Sequence, residues 1–147
     1  MNTRVDRYSL ADVAPVFNLI QQGSVQGNFT NLYCQPAYMA GLGIQLFTLL
    51  FGCIRLPDRR WYRARVRVLR VDGAFAGSII FRHDAPAMQS SEIYMCAVAP
   101  AHRQKGLGKW MLKTALSDIP AGHRVYAHCL PQSGRMKTLL RKLGFDQ

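Results

Sequence analysis

The rhythm of apolar and polar positions changes several times along the chain. Thr3 to Tyr8 reads as a short first strand. Val13, Val16, Phe17 and Ile20 then recur at helical spacing behind two candidate caps, Ser9 and Asp12, with Gly23 as the expected stop. Pro15 fits the first helical turn only if Asp12 is the cap. Residues 22–36 read as a polar loop. Pro36 to Ile54 is almost wholly apolar and reads as a buried helix, a subunit interface or an apolar acceptor groove. Its length just reaches that of a membrane span, but Gly41, Gly43, Gly52, Gln45 and Thr48 interrupt it, so a membrane partner is not expected.

From Trp61 to Val71 the period becomes two. Tyr62, Ala64, Val66 and Val68 face one way, and Arg63, Arg65 and Arg67 the other. Asp72-Gly73 predicts a hairpin turn, and Phe75 to Arg82 the returning strand. Ser91 to Val98 is apolar on both faces, as a fully covered strand is, and Pro100 ends it. Leu107, Trp110, Met111, Thr114 and Ala115 form a helical face that closes at Asp118 to Gly122. His123 to Leu130 predicts one more strand. Ser133, after Pro131, is placed as the cap of a last helix with Met136, Leu139, Leu140 and Leu143 inward and Gly144 as its stop. The order β-α-α-β-β-β-α-β-α gives a single α/β domain over residues 1–147, a mixed sheet with helices on both faces.

Between the Ser91 strand and the Leu107 helix lies Arg103-Gln104-Lys105-Gly106-Leu107-Gly108-Lys109. A helix N-terminus carries unpaired N–H groups and the positive end of the dipole. Glycines let a phosphate approach the main chain, and Arg103, Lys105 and Lys109 add charge. The plainer reading is a tight turn. The spacing fits neither a P-loop nor a dinucleotide GxGxxG. Val98-x-Pro100-x-x-Arg103-x-x-Gly106-x-Gly108 resembles the central motif of the GNAT (Gcn5-related N-acetyltransferase) superfamily. The resemblance implies a mostly antiparallel sheet and acetyl-CoA as co-substrate. Its pyrophosphate would lie on Arg103 to Lys109, and its pantetheine arm along the backbone of Cys96, Ala97 and Val98. Ser133 aligns with an Asn that the family usually has near the start of the last helix. Family members usually continue for one or two strands beyond Gly144-Phe145, where only Asp146 and Gln147 follow. The resemblance thus implies an unpaired sheet edge, which a homodimer would cover.

Charge narrows the partners. The chain has 19 Lys and Arg against 8 Asp and Glu, a net +11. Residues 8–54 contain no basic residue and only Asp12 as a charge. Seven arginines fall within residues 55–70 against the single acid Asp58. This balance disfavours polyamines, aminoglycosides and basic protein tails as acceptors. It points to an anionic partner such as RNA, met by Arg59, Arg60, Arg63, Arg65 and Arg67, unless that stripe is only a solvated face. Cys34, Cys53, Cys96 and Cys129 are widely spaced, which fits a reduced, cytoplasmic protein without a zinc site. The N-terminus lacks the apolar core of a signal peptide.

Transfer of an acetyl group to an amine needs a base for the amine, a polarised thioester carbonyl and a proton for the thiolate. Glu-Ile-Tyr-Met-Cys-Ala-Val, residues 92–98, resembles the strand of the histone-acetylating members, which implies Glu92 as general base. The alternative for Glu92 is a structural pair with Arg82 or another arginine. A backbone N–H near Cys96 or Val98 would polarise the carbonyl. The family's usual acid, a Tyr in the last helix, aligns with Leu140. Tyr126, His128 and Cys129 are the substitutes in reach, although CoA thiolate can depart unaided. No base adjoins Cys129, which counts against an acyl-cysteine route. The expected reaction is acetyl transfer to a primary amine on a protein or aminoacyl-tRNA. The alternatives are a small-molecule amine and a non-catalytic binding module.

Overall fold

A computed structural model describes residues 1–27, 29–130 and 133–146. The elements run β1 (Thr3–Arg7), α1 (Val13–Val25), α2 (Pro36–Thr48), β2 (Cys53–Arg55), β3 (Trp61–Val71), β4 (Ala74–His83), β5 (Ser90–Val98), α3 (Leu107–Leu116), β6 (Arg124–Ala127) and α4 (Gly134–Lys142). The sheet order is β1-β3-β4-β5-β6, with β2 beside the start of β3. Every pair is antiparallel except β5 with β6. Among the described residues, no strand pairs with the outer edge of β6.

Each face of the sheet carries its own core. Leu69, Ile79, Phe81 and Ile93 pack under Met111 and Leu112 of α3 and Leu140 of α4. On the other face Val66, Ile80 and Met95 pack under Val16 and Ile20 of α1 and Leu42 and Leu46 of α2. Each such side chain, fully buried, contributes about 1.5–3 kcal/mol. The alternation of β3 holds: Ala64, Val66 and Val68 are buried, while Arg63 and Arg65 are exposed. The alternation of β5 does not. The ladder slips between Ile80 and Phe81, which pair with Met95 and Ile93 and leave Tyr94 as an extra residue. This bulge moves Met95 to the opposite face from Ile93, a shift that an unbroken period of two cannot foresee.

Other expectations are corrected in detail. A three-residue strand, β2, joins the predicted order. Residues Gln22 to Val25 belong to α1 rather than to a loop. Gly23 does not end that helix: a Cβ there would lie 2.4 Å from Cδ2 of Phe29, so the residue is small to seat that ring. The apolar segment 36–54 forms α2, a tight turn and β2, and only one stripe of it is buried. Ile44, Phe47 and Phe51 remain 66%, 52% and 75% exposed, so this is not the fully buried helix expected. The last strand spans Arg124–Ala127 rather than reaching Leu130. Ser133 holds the N-cap position of α4, and Pro131 lies outside the described residues. Among the described residues, no helix is long and apolar enough to cross a membrane.

Asp12, the lone charge of its region, is 2% exposed. Both of its carboxylate oxygens accept Arg70 Nη2 at 2.9 Å, and one also accepts Ser9 N and Oγ. The pair ties the entry to α1 to strand β3. Arg70 also reaches Asp6 at 3.0 Å. Removing one partner of a buried pair leaves the other charge uncompensated. We expect Asp12→Ala to cost about 3 kcal/mol, read as a lower urea midpoint at unchanged slope. A loss below about 0.5 kcal/mol would mean that Asp6 alone satisfies Arg70.

Candidate active site

Strands β5 and β6 pair only from Ser90↔Arg124 to Ile93↔Ala127. Beyond that point they part. Between them opens a cavity of about 1140 Å³. Its walls are the free edge of β5, the turn before α3, residues 127–130, one face of α4 and, across the mouth, Leu19, Phe29 and Tyr33. The main chain of β5 from Tyr94 onward pairs with β4 on one side only. Its other edge faces the cavity, where an extended ligand with amide groups can complete the ladder.

The turn leaves a row of main-chain donors open. Gln104 and Gly106 adopt left-handed backbone, φ 62° and 73°. Gly106 occupies the N-cap of α3, and no side chain caps that helix. Among the described residues, the N–H groups from Gln104 to Lys109 have no main-chain acceptor. Those donors, the dipole and the side chain of Lys109 converge on one end of the cavity. Arg103 is less free than its position suggests. Its Nε donates to the Val98 carbonyl at 2.8 Å and its Nη1 to Gln26 Oε1 at 3.3 Å, so it pins the end of β5 against α1. Of the predicted cofactor residues, Cys96, Ala97, Val98, Arg103, Gln104, Gly106, Leu107, Gly108, Lys109 and Ser133 line the cavity, and the exposed Lys105 does not.

Glu92 also lines the cavity, one level before the strands cease to pair. It meets the expected arginine and more. Arg82 Nη2 and Nε lie 2.6 Å and 2.8 Å from Glu92 Oε2. Glu92 Oε1 lies 3.0 Å from His128 Nδ1. Arg82 continues to Asp84 at 3.1 Å and to the Tyr126 hydroxyl at 2.7 Å, and stacks 4.7 Å above the Tyr62 ring. Cross-strand register explains the cluster, since Ala64, Arg82, Glu92 and Tyr126 stand opposite one another on successive strands. The structural alternative, a pair with an arginine, is therefore present. Glu92 is ion-paired, and it presents an imidazole whose side chain is 81% exposed. A carboxylate at Nδ1 fixes the tautomer that carries its proton there, leaving Nε2 as the acceptor.

The substitutes for the missing acid separate. Leu140 is 6% exposed and belongs to the core. Tyr126 donates to Asp84 at 2.9 Å and does not line the cavity. Burial, then the Asp84 bond, raises its pKa and makes it a poor proton donor. Burial pushes the Cys96 thiol up to about 12 and raises Cys129 as well, so neither is a ready nucleophile. Tyr33 and Tyr94 were not singled out from the sequence, yet both line the cavity, and burial raises the pKa of each. Their period signal was hidden by the bulge at Tyr94 and by the irregular chain around Tyr33.

Residues 33–145 match the model of the acetyltransferase (GNAT) family. The chain therefore belongs to that family. The fold is similar to that of yncA from Salmonella typhimurium, solved with its cofactor acetyl-CoA (20% identity, 99% of this chain and 80% of that one, TM-score 0.70). It is similar also to the PaiA N-acetyltransferase of Thermoplasma acidophilum in complex with coenzyme A (16%, 99% and 91%, 0.71). A third is the ribosomal-protein-alanine N-acetyltransferase of Brucella melitensis (19%, 99% and 93%, 0.62). No curated protein matches the chain.

The cradle can be tested at Gly106. A Cβ there would meet nothing within 4 Å, and both Asn and Asp tolerate left-handed backbone. Gly106→Asp should weaken acetyl-CoA binding at least tenfold more than Gly106→Asn, by calorimetry on the folded variants. Equal losses would show that shape, not anion recognition, governs the turn.

Proposed function

We propose that this chain acetylates a primary amine carried by a macromolecule, a protein or an aminoacyl-tRNA. The observation that carries the reading is one cavity holding both an anion cradle at one end and the Glu92–His128 pair at the other. Pantetheine would extend along the free edge of β5 from the cradle, with Cys96 to Val98 supplying main-chain donors to the thioester carbonyl. The neutral amine attacks that carbonyl carbon. The carbon–sulfur bond breaks, CoA leaves as thiolate, and the nitrogen loses one proton.

His128 Nε2 takes that proton, and Glu92 holds the imidazole and stabilises its charged form. Glu92 alone is a weaker candidate than expected from sequence, because Arg82 already neutralises it. The thiolate then recovers the proton from His128 or from water. This division replaces the tyrosine that Leu140 displaces.

The acceptor class is argued from the mouth. Among the described residues, its wall from α1 and the following loop is uncharged, and Glu92 is the only carboxylate lining the cavity. A polycation finds nothing there to hold its second charge. A single uncharged-flanked amine at the end of a large molecule fits better. Four unpaired cysteines suit a reducing, cytoplasmic setting.

The test follows radiolabel from acetyl-CoA into protein, RNA and small molecules of a cell extract. Label in protein or RNA is expected, and label confined to small molecules would remove the macromolecular acceptor. His128→Gln should lower kcat about 100-fold or more, the ordinary worth of a general base, with acetyl-CoA affinity unchanged. Glu92→Gln should lower it less. The reverse ranking would return the base role to Glu92 itself.

A further inference from the structure

The sheet has a second cationic region that the cavity does not use. Arg63, Arg65 and Arg67 point away from the α1–α2 core, on the face that α3 and α4 cover only in part. The register adds neighbours the sequence did not assign to them. Arg7 of β1 stands opposite Arg67, and Arg55 of β2 stands opposite Trp61. Side chains directly opposite in an antiparallel pair share a face. Five arginines and one tryptophan thus lie on one pleated surface.

This surface is open and unpaired. Helix α3 stops at the level of Arg67, whose Nε is held by Asp118 at 2.8 Å. Beyond it Arg7, Arg55, Arg63 and Arg65 are exposed, and none of them forms an ion pair among the described residues. Trp61 is 57% exposed, large and unpacked. His83, opposite Arg63, reports the local field: burial first, then Arg65, His123 and Arg63, depress its pKa, while Asp84 opposes them. Arg59, Arg60 and Arg70 do not belong here. Arg59 and Arg60 lie in the turn before β3, and Arg70 is spent on Asp6 and Asp12.

We infer that this half-face of the sheet is a docking surface for single-stranded RNA, with Arg63, Arg65, Arg55 and Arg7 on the phosphates and Trp61 stacked on a base. Successive cations on one strand face are about 6.6 Å apart, a repeat that suits successive phosphates of an extended strand. Guanidinium groups bind phosphate oxygens in pairs. An exposed ring among cations is the second component of single-strand platforms. An acidic peptide would use the charges but has no need of Trp61. The surface lies on the reverse of the sheet from Glu92 and Arg82, so the inference stands on charge and register and does not rest on acetyl transfer.

The probe is a fluorescein-labelled single-stranded oligouridylate, titrated with the full chain and read by anisotropy at several salt concentrations. Binding should weaken steeply with salt, with a log–log slope near −3 for about four phosphate contacts at roughly 0.7 each. Arg63→Glu/Arg65→Glu should lose at least tenfold in affinity and flatten the slope by about 1.4. Trp61→Ala should lose about tenfold without changing the slope, and Trp61→Phe should recover most of it. Lys113→Glu/Arg141→Glu changes net charge equally on the helices and should have a far smaller effect. Thermal melts establish that each variant is folded.

Equal losses from the two charge pairs would overturn the site in favour of diffuse attraction. So would binding of polyglutamate or phosphatidylserine vesicles as tight as RNA, or indifference to Trp61. Acetyl transfer to a small test amine should survive Arg63→Glu/Arg65→Glu. RNA binding without any acetyl transfer would leave this surface standing and remove the catalytic reading instead.

Discussion

The structure depends on one incomplete pairing. Strands β5 and β6 run parallel for four residues and then separate. In most sheets an unpaired interior edge is a liability, because its amides must find partners. Here the edge opens into a cavity, and the turn that follows β5 leaves further N–H groups unpaired at its end. The bulge at Tyr94 belongs to the same device. It redirects the second half of β5, turns Met95 into the α1–α2 core and leaves Cys96 and Val98 beside α3 and α4. Arg103 then ties the last carbonyl of the strand to α1, so the edge is held open rather than left to close.

Charge is divided between the two faces with little overlap. The face toward α1 and α2 uses its cations internally: Arg70 on Asp12 and Asp6, Arg82 on Glu92 and Asp84. These groups are largely buried, and their work is positional. The reverse face pairs Arg67 with Asp118 and leaves Arg7, Arg55, Arg63 and Arg65 in solvent. Part of the net charge of +11 is therefore concentrated on this reverse face.

Much of this was legible in the chain because local signals agreed. The alternation in β3, the Asp72-Gly73 turn and the Gly106-x-Gly108 turn before an amphipathic helix each specify one local structure. Family resemblance then oriented them. What escaped had causes of a different kind. The bulge costs one residue of register and leaves no mark in composition. Gly23 reads as a stop when nothing reveals the ring of Phe29 that fills its place. The apolar run 36–54 was too uniform to say which stripe would be buried. Arg7 and Arg55 joined the arginine face through strand pairing, which lies beyond any local window.

Glu92 shows the same limit at a single residue. From sequence its two readings, base or structural ion pair, exclude each other. The sheet shows the ion pair on one carboxylate oxygen and leaves the other to a second partner. Arg82, opposite on β4, takes one and fixes the side chain. His128 lies just beyond the residue paired with Ile93, where β6 has left the ladder, and takes the other. A residue still inside the ladder would be constrained to the sheet face, as Tyr126 is. Because β6 has already parted from β5, His128 reaches back to Glu92 while its ring stays in solvent. The parting of the strands thus opens the cavity and frees the imidazole, and neither could be had with the two strands fully paired.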